Sequence, residues 1–484
     1  MKRFFFIVLL AGSFLTSAAQ NKSLYTGTWD GTLDLGIKLR IVFHVKEDGK
    51  GGIITTCDSP DQSAFGIKCD TSYITDAGIT IAMYQLEASF QGKLVNDSTL
   101  EGTFKQAASF PLTLKKTGFS RLATLFKPKP QEPKPPFPYS VYDVEYDNAD
   151  KTVHFGATLT VPKPDSNIRY IKAPEYPAVI LITGSGQQDR DETLLGHKPF
   201  AVIADHLSRN GIAVLRVDDR GMGKTKGDYK NATSADFAKD VEASIEFLKT
   251  QANINKNKIG LIGHSEGGMI APIVAANRKD IAFMILLAAP GIPILDLMAE
   301  QNAAILLSSG IDEFTIEKYI PVYKAVVTAI IQALDSAEAK KLASKKMAVW
   351  ADSTDPKVMS RLGLSDENSR VKFVQDLVPV VFAPWFRYFI AFDPQPYLQK
   401  ITGKVLALNG NKDIQVISKS NLAGIKAALK KSKSGSYEIT ELDGLNHLFQ
   451  HCKRCTLTEY SELEETFAPE VLKIMVDWLN KNIK

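Results

Sequence analysis

A serine between glycines, in Gly263-His264-Ser265-Glu266-Gly267, is the part of this 484-residue chain best suited to covalent chemistry. Lys258-Ile259-Gly260-Leu261-Ile262 before it is apolar and β-branched, as a buried strand is. Gly268-Met269-Ile270-Ala271-Pro272-Ile273-Val274-Ala275-Ala276 after it reads as a buried helix. A sharp turn from strand to helix would lift the hydroxyl clear of a sheet, and the glycines would let backbone crowd round that turn. The flanking elements, more than the pentapeptide, give the pattern its weight. Pro272 removes a backbone hydrogen bond inside the helix and is expected to kink it. His264 and Glu266 flank the serine without needing a chemical role.

A hydroxyl is a weak nucleophile until a base takes its proton, and a carboxylate must fix the tautomer of that base. Residues 404–410 read as a buried strand leaving into a loop that carries Asp413. Residues 436–442 alternate like a last strand, and Asp443-Gly444-Leu445-Asn446-His447 turns off its end. Of seven histidines, only His447 and His451 follow Asp413, and His447 is nearer the strand end. Asp443 also follows a strand but is too close to His447 to act from a separate loop. Ser265, Asp413 and His447 are therefore expected as nucleophile, orienting acid and base. The oxyanion formed by attack needs preorganised N–H donors. One is expected from Glu266. The other comes from Ser185 or Gly186, in the Gly184-Ser185-Gly186-Gln187 loop after an apolar strand at 178–183.

The segments Thr183-Gly184-Ser185-Gly186-Gln187-Gln188-Asp189-Arg190-Asp191-Glu192, Val217-Asp218-Asp219-Arg220-Gly221-Met222-Gly223 and Gly263-His264-Ser265-Glu266-Gly267-Gly268 resemble α/β-hydrolase carboxylesterases. So do Asn409-Gly410-Asn411-Lys412-Asp413-Ile414-Gln415-Val416 and Gly444-Leu445-Asn446-His447-Leu448-Phe449-Gln450. The resemblance is to a bacterial serine carboxylesterase group close to the serine-aminopeptidase-like branch, and runs from about Tyr139 to the C-terminus. It implies a Ser265-Asp413-His447 triad and hydrolysis of small acyl esters without metal or organic cofactor. Thr183-Gly184 departs from the His-Gly that is commoner in the superfamily. A peptidase or thioesterase would use the same machinery, and an inactive envelope- or polysaccharide-binding protein is the reading outside enzymes.

Other charged motifs fit support better than chemistry. Asp219-Arg220-Gly221 and Asp189-Arg190-Asp191 suit salt-linked turns that shape the oxyanion loop, with a substrate-carboxylate clamp by Arg190 as the rival reading. Gly223-Lys224-Thr225 has Asp218 where a phosphate loop needs glycine, and Gly184-Ser185-Gly186 has Asp189 where a dinucleotide fingerprint needs one.

The expected fold class is α/β: an α/β-hydrolase mostly parallel sheet with a helical cap insertion, preceded by a small all-β domain. Lys2 and Arg3 ahead of an apolar run, with Ser17-Ala18-Ala19 after it, read as a cleavable signal peptide over 1–19. The mature protein is then secreted or periplasmic, with no stable membrane insertion. Residues 20–120 read as β-rich, since Ile37, Leu39, Ile41, Phe43 and Val45 alternate with more polar neighbours. A proline-rich stretch at 121–138 reads as a stiff spacer. The catalytic domain follows at 139–484, its strand–helix alternation broken by a helical cap at about 296–392. Trp385, Phe386, Tyr388 and Phe389 in that cap either line a pocket or pack it onto the core. Hydrophobic content of 44% and charged content of 23% are those of a globular protein, and a net charge of +4 gives no reason to expect nucleic acid as a partner. The expected partner is a small-molecule ester, and the oligomeric state is left open. The four cysteines are expected to pair locally, Cys57 with Cys69 and Cys452 with Cys455, as simple staples.

Overall fold

The structure is a computed structural model, described here over residues 24–483 except 35–37, 50–51, 60–63, 76, 87, 107, 118–128 and 165–173. The expected signal peptide, Ile37 and residues 121–128 of the proline-rich stretch lie outside the described residues. The described residues divide into two compact units, those up to 128 with 194–196, and 129–193 with 197–484.

The first unit is an antiparallel meander. Its strands are β1 (Gly27–Asp34), β2 (Lys38–Glu47), β3 (Ile53–Ser59), β4 (Ala64–Lys68), β5 (Thr71–Thr75), β6 (Gly78–Met83), β7 (Ala88–Asn96), β8 (Thr99–Gln106) and β9 (Ala108–Thr117). Pairing of β1 with β9 leaves β4 and β5 as the two edges. Only Cys69 and Asp70 join those edges, so the sheet must curl round on itself. Leu39, Ile41, Phe43 and Val45 face the enclosed core, where the Phe43 and Phe90 rings lie 5.6 Å apart.

The expected Cys57–Cys69 disulfide is absent, and both thiols are free. Register explains this. Cys57 lies opposite Ile67, while the Cys69 N–H donates to the Thr55 carbonyl, so the two cysteines are diagonal neighbours. Diagonal pairs stand about 7–8 Å apart, beyond ordinary disulfide reach.

The second unit is built on a sheet of β10 (Tyr139–Asp147), β11 (His154–Pro162), β12 (Tyr176–Ile182), β13 (Ala213–Val217), β14 (Ile254–His264), β15 (Phe283–Leu287), β16 (Lys404–Gly410) and β17 (Tyr437–Leu442), in the order β10-β11-β13-β12-β14-β15-β16-β17. β11 pairs antiparallel with β10 and β13, and the other neighbours pair in parallel. Side chains alternate between the faces of a strand. Ala178, Ile180 and Ile182 of β12 therefore join one core, with α2 (Ser234–Thr250) and α3 (Gly267–Asn277). Val179 and Leu181 join the other, with α1 (Pro199–Arg209) and α12 (Pro469–Asn482).

Between β15 and β16 the chain leaves the sheet for seven helices, of which the first six are α4 (Ile294–Ser308), α5 (Glu313–Gln332), α6 (Ser336–Ser353), α7 (Pro356–Arg361), α8 (Glu367–Phe382) and α9 (Pro384–Ile390). Aspartates begin four of them. Asp312, Asp335, Asp355 and Asp366 accept from the first-turn N–H groups of α5, α6, α7 and α8, which would otherwise lack acceptors. The Ile294 N–H donates to the Phe392 carbonyl at 2.9 Å, so the insertion is fastened at its base. The short α10 (Gln395–Leu398) leads back to β16, and α11 (Ser418–Leu429) joins β16 to β17.

The described part of the proline-rich stretch, 129–138, is not a free spacer. The Gln131 side chain accepts from the Thr466 and Phe467 N–H groups and donates to the Phe467 carbonyl, and Lys129 donates to the Ser461 and Leu463 carbonyls. Composition predicts stiffness but says nothing of such docking. Among the described residues no helix is long and apolar enough to cross a membrane.

Candidate active site

Ser265 stands between the end of β14 and the start of α3 with φ of 51°, in the left-handed region that side chains seldom enter. Its N–H donates to the Leu287 carbonyl and its carbonyl accepts from the Gly268 N–H, both at 2.9 Å. Only glycine fits on either side. A Cβ at Gly263 would sit 2.1 Å from the Gly267 oxygen, and one at Gly267 would sit 2.1 Å from the Ile182 oxygen. Such strain costs about 1–3 kcal/mol and persists only where surrounding packing enforces it. α3 continues through Pro272 to Asn277 without a break.

Asp413, three residues past β16, meets His447, five past β17. His447 Nδ1 lies 2.8 Å from Asp413 Oδ2, and both side chains are almost wholly buried. The other oxygen of Asp413 accepts from the Gln415 and Val416 N–H groups at 2.7 and 2.9 Å. A carboxylate can only accept, so Nδ1 carries a proton, and in the neutral ring Nε2 is the nitrogen with the lone pair. Asn446 fixes the histidine loop by accepting from the Leu448 and Gln450 N–H groups. The rivals are engaged elsewhere: His451 is exposed between Glu465 and Glu470, and Asp443 accepts from Asn411. Among the described residues no hydrogen bond joins Ser265 Oγ to His447 Nε2. Bonds of that kind commonly tighten only when substrate arrives.

Of the expected oxyanion donors, the N–H groups of Glu266, Ser185 and Gly186 have no acceptor among the described residues, whereas that of Gly184 is spent on Glu192 at 2.7 Å. Ser185 lines the same cleft as Ser265 and Glu266, while Gly186 lines a neighbouring hollow beside Asp219. Asp219 braces this loop, accepting from Thr183 Oγ1 at 2.9 Å and the Gln188 N–H at 2.8 Å. Burial pushes its carboxyl up to about 8. Arg220 is paired with Asp240. The clamp reading of Arg190 is overturned, because its guanidinium is bound to Asp218 through Nε and Nη2 and to Asp143 and Thr158 through Nη1.

Two side chains that the sequence left without a role, those of His264 and Glu266, tie the elbow to distant parts of the chain. His264 Nδ1 lies 2.9 Å from Glu192 Oε1, and its Nε2 lies 3.0 Å from the His447 carbonyl. Both neighbours accept, so both ring nitrogens donate and the ring is an imidazolium. Burial is the largest single influence and opposes that charge, but the Glu192 carboxylate, the His447 carbonyl and Asp413 together hold the His264 pKa above its ordinary value. The same Glu192 oxygen accepts the Gly184 N–H. One buried ion pair thus joins the oxyanion loop, the elbow and the histidine loop. Glu266, also buried, accepts from Ser234 Oγ at 2.6 Å and from the Trp385 indole N–H at 2.8 Å, and burial raises its pKa. The His264 contacts to Glu192 and His447 and the Glu266 contact to Trp385 span 72 to 183 positions of sequence, and only the oddity of charged residues in an apolar stretch could have signalled them.

Of the cap aromatics, Trp385, Phe386 and Phe389 line the cleft beside Ser265, whereas Tyr388 packs against Phe392 at 6.0 Å. Past His447, Cys452 and Cys455 form a disulfide with their Cα atoms 5.0 Å apart. The carboxylate of Glu459 accepts the N–H groups of Lys453, Arg454 and Cys455 inside that loop.

A strand–elbow–helix serine, an acid after β16 and a histidine after β17, on this sheet order, give the second unit the architecture of the α/β-hydrolase fold. The family described as serine aminopeptidase, S33, matches residues 198–360, a span that holds Ser265 and ends before Asp413 and His447. Esterase EstD of Thermotoga maritima is 28% identical over 182 residues, which are 37% of this chain and 42% of that esterase. The chain is thus matched to less than half the length of that relative. Among solved structures, the Pyrococcus furiosus esterase PF2001 aligns at 14% identity and a TM-score of 0.43, over 72% of this chain and 92% of its own. Est1E from Butyrivibrio proteoclasticus, solved with ferulic acid, aligns at 17% identity and a TM-score of 0.39, over 70% and 99%.

Proposed function

We propose that the chain is a secreted serine hydrolase that cleaves small carboxylic esters through an acyl-enzyme. His447 Nε2 takes the Ser265 proton as Oγ bonds to the ester carbonyl carbon. The carbonyl oxygen, now negative, is met by the N–H groups of Glu266 and Ser185. The carbon–oxygen bond to the alcohol then breaks, and the imidazolium gives its proton to the leaving oxygen. Water repeats the sequence on the acyl-enzyme, releasing the acid and restoring Ser265. Asp413 holds the tautomer and stabilises the transient imidazolium throughout.

The observation that carries this reading is the buried Asp413–His447 hydrogen bond of 2.8 Å, in a domain where Ser265 occupies the elbow. An ester substrate is favoured over a free amino terminus by the cleft itself. Its one carboxyl, Glu266, already accepts two hydrogen bonds. Export is supported by the basic and apolar start of the chain and by the Cys452–Cys455 disulfide, which persists in oxidising compartments. The test is labelling of the purified protein with a fluorophosphonate, together with p-nitrophenyl acetate turnover. Both should vanish in Ser265→Ala, and turnover persisting in that variant sinks the proposal. Mature protein from a periplasmic fraction should begin at Gln20.

A further inference from the structure

The cleft beside Ser265 is walled by the insertion. Leu297, Met298, Trp385, Phe386, Phe389 and Val416 make its apolar lining. Trp385 is fixed twice over. Its N–H donates to Glu266, the residue after the nucleophile, and its ring stacks on Phe389 with centroids 5.2 Å apart and planes 16° apart. Phe386 meets the same ring edge-on at 5.7 Å. A wall held this way keeps its shape when empty, so it favours a ring that lies flat against it over a chain that must give up its own freedom.

The polar groups in the cleft narrow the choice further. Glu266 is engaged as above, and Gln415 Nε2 donates to the Tyr460 hydroxyl at 3.1 Å. Gln301, on α4, lines the cleft and has no hydrogen-bond partner among the described residues. Its amide can both donate and accept, which suits a hydroxyl or a carbonyl. An anionic substituent would lose its water here and find no cationic side chain in the lining, and burial, by raising the pKa of Glu266, weakens the one carboxyl there as a partner for a cation.

We propose that this cleft selects a flat, uncharged acyl group, with its ring against the Trp385–Phe386–Phe389 wall and a neutral hydrogen-bonding substituent met by Gln301. This rests on the ester-hydrolase reading above, and it names Trp385 and Gln301 as specificity determinants.

The experiment compares p-nitrophenyl esters of acetate, hexanoate, phenylpropanoate and para-hydroxyphenylpropanoate. Phenylpropanoate should exceed hexanoate in kcat/KM by about tenfold or more. Trp385→Ala should lower the phenylpropanoate-to-acetate ratio by about tenfold, carried mainly by KM. Gln301→Leu, a half-buried change that spares the aromatic wall, should bring the hydroxy-to-parent ratio from several-fold down to about one. Equal preference for hexanoate, or equal loss on acetate and phenylpropanoate, overturns the proposal. Calorimetry of phenylpropanamide and hexanamide on the Ser265→Ala protein separates the two readings. Selective binding of the aryl amide with no ester turnover in the wild type sinks the hydrolase reading alone. Turnover without selectivity sinks this one.

Discussion

Both units of the molecule bring together an aspartate, a histidine and a hydroxyl, yet only one arrangement can do chemistry. In the first unit, His44 Nε2 lies 2.7 Å from Asp58 and its Nδ1 lies 3.1 Å from Thr28 Oγ1. Thr28 is 1% exposed within β1, and Asp58 also accepts the Gly66 N–H. Both ring nitrogens are spoken for and no substrate can reach the hydroxyl. In the second unit, the His447 ring is bound at Nδ1 alone among the described residues, and Ser265 is lifted by a strained turn onto the wall of a cleft. The difference teaches that residue types within reach are not sufficient. An unsatisfied lone pair and an accessible oxygen distinguish a site from a satisfied core cluster.

The contrast can be broken most sharply by removing the hydroxyls in turn. Ser265→Ala should cost p-nitrophenyl acetate turnover on the order of a hundred-thousandfold, whereas Thr28→Val should leave it unaltered. Next are the acids. Asp413→Asn should lower kcat by about ten-thousandfold through the wrong tautomer, with little change in melting temperature. Asp58→Asn should do the reverse, costing about 1–3 kcal/mol in urea unfolding and nothing in rate.

Glu192→Gln tests the buried ion pair. It strands the His264 imidazolium, at about 3–5 kcal/mol, and should slow turnover about ten- to hundredfold as the oxyanion loop loosens. The folded His264 pKa is raised, so its stabilisation is full below the unfolded value and lost as pH climbs through the folded one. That loss should disappear from the pH profile of unfolding in the variant.

Asp219→Asn should have the smallest effect. The folded carboxyl holds its proton up to about 8, well above an ordinary aspartate. The native state therefore binds more protons than the unfolded chain between about pH 4 and 8, and stability falls as pH rises through that window. Melting temperatures measured across it should decline less steeply in Asp219→Asn than in the wild type.

What the sequence makes legible follows from the range of each signal. The elements around Ser265 are written in a few residues of period and glycine placement, and the loops carrying Asp413 and His447 are each announced by the strand before them. The helical insertion shows as an interruption of strand–helix alternation. Tertiary contacts have no such period. Nothing local says that Glu192 serves Gly184 and His264 together, that Trp385 reaches back to Glu266, or that Gln131 docks on Thr466 and Phe467. Cys57 and Cys69 mislead for a related reason. Their spacing in sequence suggests a bridge, but a register fixed by the whole sheet sets them on a diagonal.

The clasp between Ile294 and Phe392 has a consequence of its own. Because β15 and β16 are adjacent, the segment between them starts and finishes at nearly one place, and closing a loop of almost any length there costs little extra entropy. Residues 294–392 could then be exchanged as a cassette for a shorter or differently lined bridge while the elbow beneath stayed in register. Substrate choice in such a scaffold can diverge by grafting, without the chemistry having to be reinvented.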